Sequence, residues 1–102
     1  EDIERAVGGL PGVRAGNVIA FGMEGYKGKE SVVIVAEVRA DDLEAVRYDI
    51  HHRALEVSGL PPRDIMLVTP GTLPKTSSGK LQRAKCKEHY LAEDLDLLDT
   101  VD

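Results

Sequence analysis

The sequence predicts a single α+β domain: a small mixed sheet with flanking helices, in the order helix, strand, strand, helix, strand, helix. Three observations carry that expectation. Ser31 to Val38 is a near-continuous, β-branched apolar run, which suits a strand covered on both faces. Leu43, Val46, Ile50, Ala54 and Val57 recur at helical spacing and form a core-facing stripe. A chain of 102 residues has room for one modest core and no second domain.

Each element has its own signal. Glu1 to Val7 reads as a short helix, stopped by Gly8-Gly9 and by the Leu-Pro-Gly turn at Leu10 to Gly12. Val18 to Phe21 is a short apolar strand. Gly25 to Lys29 supplies turn chemistry before Ser31 to Val38, so the two strands are expected to form an antiparallel hairpin with a long loop. Asp41 followed by Glu44 has the spacing of a capping box, and Gly59, Pro61 and Pro62 end the helix it opens. Ile65 to Val68 is a third buried strand and Pro70-Gly71 a turn. A last helix is expected from about Leu81 to Leu91, and the acidic end, 94–102, is expected to fray.

Composition narrows the function. Hydrophobic content is ordinary at 42%, so the chain reads as soluble and globular, and no stretch approaches the length a membrane span needs. Cys86 is the only cysteine, which rules out an internal disulfide and suits a reducing cytoplasm. It reads as an inert helix residue rather than a nucleophile. The net charge of −5 comes from Glu93, Asp94, Asp96, Asp99 and Asp102; with those set aside, the rest of the chain is neutral. Within that neutral body Lys75, Lys80, Arg83, Lys85 and Lys87 cluster, opposed only by Glu88. Few aromatics and an acidic whole chain argue against nucleic-acid binding.

The segment Leu73 to Arg83, Leu-Pro-Lys-Thr-Ser-Ser-Gly-Lys-Leu-Gln-Arg, carries the chemistry. It sets Lys80 at the start of a helical pattern, where the positive end of the helix dipole makes a cation locally unfavourable. An anionic ligand would account for such a lysine. Ser77 and Ser78 are placed to cap the following helix, and Gly79 permits backbone angles other residues resist while clearing space beside a ligand. A phosphate-binding P-loop needs a glycine where Pro74 stands and a Ser or Thr where Leu81 stands, so that reading fails. His51 and His52 are adjacent on a helix and point about 100° apart. With His89 and Cys86 remote from them, no metal site is expected.

Pro74 to Arg83 also resembles the closing lysine motif of the adenylate-forming enzymes: acyl-CoA synthetases, fatty acyl-AMP ligases, luciferases and peptide-synthetase adenylation domains. That motif runs Pro-Lys-Thr-x-Ser-Gly-Lys-hydrophobic-x-Arg, and every fixed position is matched. Asp2-Ile3-Glu4 looks like the family's entry into its C-terminal domain, and the remaining elements follow in family order. The resemblance implies that residues 1–102 are the mobile C-terminal lid of a larger cytoplasmic enzyme, with the hinge just upstream of Glu1. It implies that Lys80 is catalytic, with Thr76, Ser77, Ser78 and Gly79 forming the loop near ATP and substrate. Lys75, at the loop entrance, is the lesser of the two lysines. ATP and Mg²⁺ would be bound mainly by the N-terminal domain, which also holds the fatty acid, and the domain would rotate for transfer to a thiol.

The runs Arg14 to Phe21 and Glu30 to Val38, with Pro70 to Lys80, look most like fatty acyl-AMP ligases, which pass the acyl group to the phosphopantetheine of an acyl carrier protein. The alternative acceptor is coenzyme A, in an acyl-CoA synthetase. A rival of another class is a non-catalytic docking module whose basic surface, Arg83, Lys85 and Lys87, meets an acidic carrier protein.

Overall fold

The computed structural model describes residues 2–24 and 30–98. Its elements are α1 (Asp2–Gly8), β1 (Val13–Glu24), β2 (Glu30–Val38), α2 (Leu43–Ser58), β3 (Asp64–Val68) and α3 (Arg83–Leu91). The α+β class and the element order are those the sequence predicts. The sheet order is β1-β2-β3, with β1 antiparallel and β3 parallel to the central β2. The expected turn at Gly25 to Lys29 lies outside the described residues.

Alternation along β2 divides the core in two. Ile34, Ala36 and Val38 face Val7 of α1 and Val46, Ile50 and Ala54 of α2. Val33 and Val35 face the other way, onto Ile19, Phe21, Val68, Leu73 and Cys86. Both faces of β2 are therefore covered, which is why its sequence shows no polar alternation until Glu37. The second layer is built on α3: Cys86 is fully buried, and Tyr90 meets Phe21 edge to face at 5.6 Å. Tyr90 Oη also donates to Asp64 Oδ2 at 2.9 Å. Burial pushes the Cys86 thiol up to about 11, so it is held as an unreactive thiol.

Three local expectations change. The first strand runs from Val13 to Glu24, well beyond Val18 to Phe21, because its polar start is a bulge rather than a turn. The N-cap of α2 is Asp42, not Asp41: its carboxylate accepts from Ala45 N at 3.1 Å. In that frame Ala45 occupies the answering position, so no reciprocal glutamate bond forms. Val57 does not complete the stripe: it shares the face of Val46 and Ile50 by spacing, but it stands in the last turn, one residue before the end of α2, and is 40% exposed. The chain is paired on β3 as far as Leu98: Thr69 N donates to Asp96 O, and Leu98 N to Leu67 O at 2.9 Å.

Truncation separates stripe from surface. Ile50→Ala, at a fully buried site, should cost about 2–5 kcal/mol in urea unfolding. Val57→Ala should stay within about 0.5 kcal/mol. Equal costs would mean the helix faces the core differently.

Candidate functional site: the lysine hairpin

Residues 74–82 fold back on themselves. Lys75 bridges Leu81 in antiparallel fashion, and Gln82 N donates to Pro74 O at 3.0 Å. Thr76 N donates to Lys80 O at 2.8 Å, and Gly79 N to Thr76 O at 2.9 Å. The result is a three-residue hairpin loop, Ser77-Ser78-Gly79, whose last residue sits at φ 88°. That is the left-handed position this loop length requires, where an L side chain costs about 1–2 kcal/mol. A Cβ on Gly79 would meet nothing within 4 Å, so the backbone angle, and not local crowding, explains the glycine.

The hydroxyls brace the tip instead of capping α3. Thr76 Oγ1 accepts from Lys80 N at 3.1 Å and pairs with Ser78 Oγ at 3.0 Å. The N-cap of α3 is Gln82, without a side-chain bond, so the expected serine cap does not form. Nor does Lys80 lie in the first turn of that helix. It stands on the second leg of the hairpin, two residues before the cap. The side-chain bond to its own amide comes from Thr76, a contact across the loop that sequence spacing does not reveal.

Lys80 is exposed, and its ammonium has no partner among the described residues. Lys75 differs: its ammonium donates to Oδ1 of the buried Asn17. The hairpin root is held as well. Leu73 N donates to Glu37 Oε2 at 3.0 Å, and Glu37 Oε1 accepts from Arg14 Nη1 at 2.7 Å. Glu37 is only 1% exposed. Sequence reading missed Glu37, Arg14 and Asn17; the acid interrupting an apolar strand at position 37 was the available signal.

The basic residues of α3 are not equivalent. Arg83 forms a two-pronged pair with Glu4, with Nε 2.7 Å from Oε2. Glu4 also accepts from Ala20 N at 2.9 Å, on the outer edge of β1. Burial pulls the Glu4 pKa up, but the bonds from Arg83 and Ala20 outweigh it and leave it lowered. Lys87 reaches Gly22 O at 3.1 Å, while Lys85 is exposed. Thus α1, β1 and the hairpin's exit are tied together through Arg83, and Lys85 points to solvent.

An exposed ammonium alone can do little. At 4 Å from an anion it is worth about 1 kcal/mol in water and about 4 kcal/mol at a partly dry surface. That attraction becomes large only against a second surface that excludes water. No residue from Pro74 to Arg83 is acidic. The loop thus suits a phosphate or carboxylate and not Mg²⁺. Among the described residues no group of three His, Cys, Asp or Glu side chains could hold a metal, and no helix is long and apolar enough to cross a membrane.

No family model matches the chain. Individual proteins do. It is 36% identical over 109 residues to "Probable long-chain-fatty-acid--AMP ligase FadD30" of Mycobacterium tuberculosis, covering 98% of this chain and 18% of that protein. It is 32% identical over 102 residues to the medium-chain-fatty-acid–acyl-carrier-protein ligase JamA of Moorena producens, covering 94% of this chain and 17% of the relative. The crystal structure of a fatty acid AMP ligase from Legionella pneumophila superposes with a TM-score of 0.75 at 25% identity, over 99% of this chain and 18% of that one. By sequence and fold the chain belongs to the adenylate-forming enzymes. Within them its homologues are fatty acid–AMP ligases and FadD-type ligases, and it spans less than a fifth of their length.

The Glu4 clamp predicts an acid-side loss of stability. Its folded pKa is lowered from 4.5, so its contribution is present above that value and disappears as pH falls through the folded one. Glu4→Gln should lower the urea midpoint at neutral pH, and the gap to the parent should close well below pH 4.5. A gap independent of pH would contradict the clamp.

Proposed function

We propose that this chain is the mobile C-terminal domain of a fatty-acid-activating ligase and that Lys80 serves the adenylation step. In that step a carboxylate oxygen attacks the α-phosphorus of ATP, the bond to the leaving pyrophosphate breaks, and an acyl-adenylate forms. Two anions must meet, so negative charge gathers on the carboxylate and the α-phosphate oxygens. An ammonium delivered there by domain closure, with water expelled, acts where Coulomb attraction is strongest. The observation that carries this reading is a self-bonded hairpin presenting a lysine whose ammonium has no partner among the described residues.

ATP, Mg²⁺ and the fatty acid would be held by the remainder of the enzyme, where the metal would neutralise phosphate charge. Rotation would then withdraw Lys80 and admit a thiol, a gate of the lid type. The similarity to fatty acid–AMP ligases supports a carrier-protein phosphopantetheine as that thiol, with coenzyme A as the other acceptor. Lys85, exposed on α3, is the member of the basic group free to meet an acidic carrier.

In the full-length ligase, Lys80→Ala should lower adenylate formation by about 10²–10³-fold, and the isolated domain should turn over nothing. Unchanged adenylation in Lys80→Ala would refute the assignment. Product analysis with ATP, fatty acids and coenzyme A decides the branch. Accumulated acyl-adenylate is expected, and rapid conversion to acyl-CoA would instead make this the lid of an acyl-CoA synthetase.

A further inference from the structure

Between Val13↔Val38 and Val18↔Ala36 the β1–β2 register shifts, so four residues, Arg14 to Asn17, stand opposite Glu37 alone. Gly16, at φ 78°, lets the chain bow outward there. Two side-chain holds on the first leg and root of the lysine hairpin come from this one place. Asn17 accepts from Lys75 on the first leg, and its own Nδ2 is spent on Ala15 O at 3.1 Å. Arg14 pairs with Glu37, whose second oxygen accepts from Leu73 N at the root.

We propose that the bulge and Glu37 form a seat that fixes the angle at which the hairpin leaves the domain, making Glu37 a positioning residue for adenylation. The proposal rests on the assignment of Lys80 above. A hairpin that is rigid within itself still swings about its root, and a small swing there displaces the ammonium at the tip. Glu37 is suited to prevent that. Its two oxygens are each matched to one donor, and the burial that removes it from water leaves no competing acceptor. Glutamine at 37 keeps the shape but offers one acceptor and one N–H₂. Either Leu73 N or Arg14 then faces a donor, and the root loses one of its ties. The withdrawn state, in which Lys80 takes no part, does not depend on this geometry.

The test is a comparison of half-reactions in the full-length ligase. Glu37→Gln is expected to reduce kcat for adenylate formation about tenfold, since a displacement of an ångström is enough for such losses. KM for ATP and fatty acid should stay within about twofold, and so should transfer from preformed acyl-adenylate to the thiol acceptor. Equal loss in both half-reactions, or loss in neither, would overturn the proposal. Arg14→Gln, at a half-exposed position, is the second variant should Glu37→Gln fail to fold, and is expected to shift the same ratio in the same direction. Lys80→Ala run alongside separates the two claims: if it leaves adenylation intact, the assignment of Lys80 fails whatever Glu37 does.

Discussion

Glu37 lies one residue from the end of the central strand, almost wholly out of water, where an unanswered carboxylate would cost several kcal/mol. Its two oxygens are answered by Arg14 of β1 and by the amide of Leu73. This requirement for two donors explains much of the surrounding architecture. It accounts for a bulge that brings Arg14 and Asn17 over the strand, and for a chain that returns from β3 to the same face. The lysine hairpin begins where that return ends. No described side-chain nitrogen or oxygen is left buried without a partner, so the polar patch is absorbed without a defect in the core.

Two kinds of stiffness meet in the hairpin. Within the loop, the bonds of Thr76 to Lys80, Ser78 and Gly79 fix the tip. At its base, Glu37 and Asn17 fix the stem, and Arg83 with Glu4 fixes the exit into α3. The ammonium of Lys80, without a partner among the described residues, is left as the part that can meet something else. The hairpin offers an exposed charge at its tip. That agrees with a chain spanning less than a fifth of the ligases it resembles.

The fold was legible because hydrophobic pattern and turn residues agreed along most of the chain. Ser31 to Val38 announced a doubly covered strand, and Leu43, Val46, Ile50, Ala54 and Val57 announced a helix face, of which Val46, Ile50 and Ala54 are buried. Where polar residues serve packing, the pattern gave less. Arg14 to Asn17 shortened the apparent first strand because a bulge carries no alternation. The neighbouring aspartates at 41 and 42 left the helix start uncertain by one residue, a choice that backbone geometry alone decides. The lysine motif was legible as a motif. Its shape was not, because serines before a helix have the same spacing whether they cap it or close a hairpin. Glu37 stood out only as an acid in an apolar run; its site role was not legible because its partners lie 23 and 36 positions away in the chain.

The most direct measurement is amide hydrogen exchange at Leu73 in the full-length ligase, with and without Glu37→Met, which offers neither donor an oxygen. Slow exchange at Leu73 in the parent is expected, lost in the variant while Thr76 and Gly79 keep the protection of their own hairpin bonds. Rapid exchange at Leu73 in the parent, or equal protection in both proteins, would show that the buried carboxylate does not hold the root of the lysine hairpin.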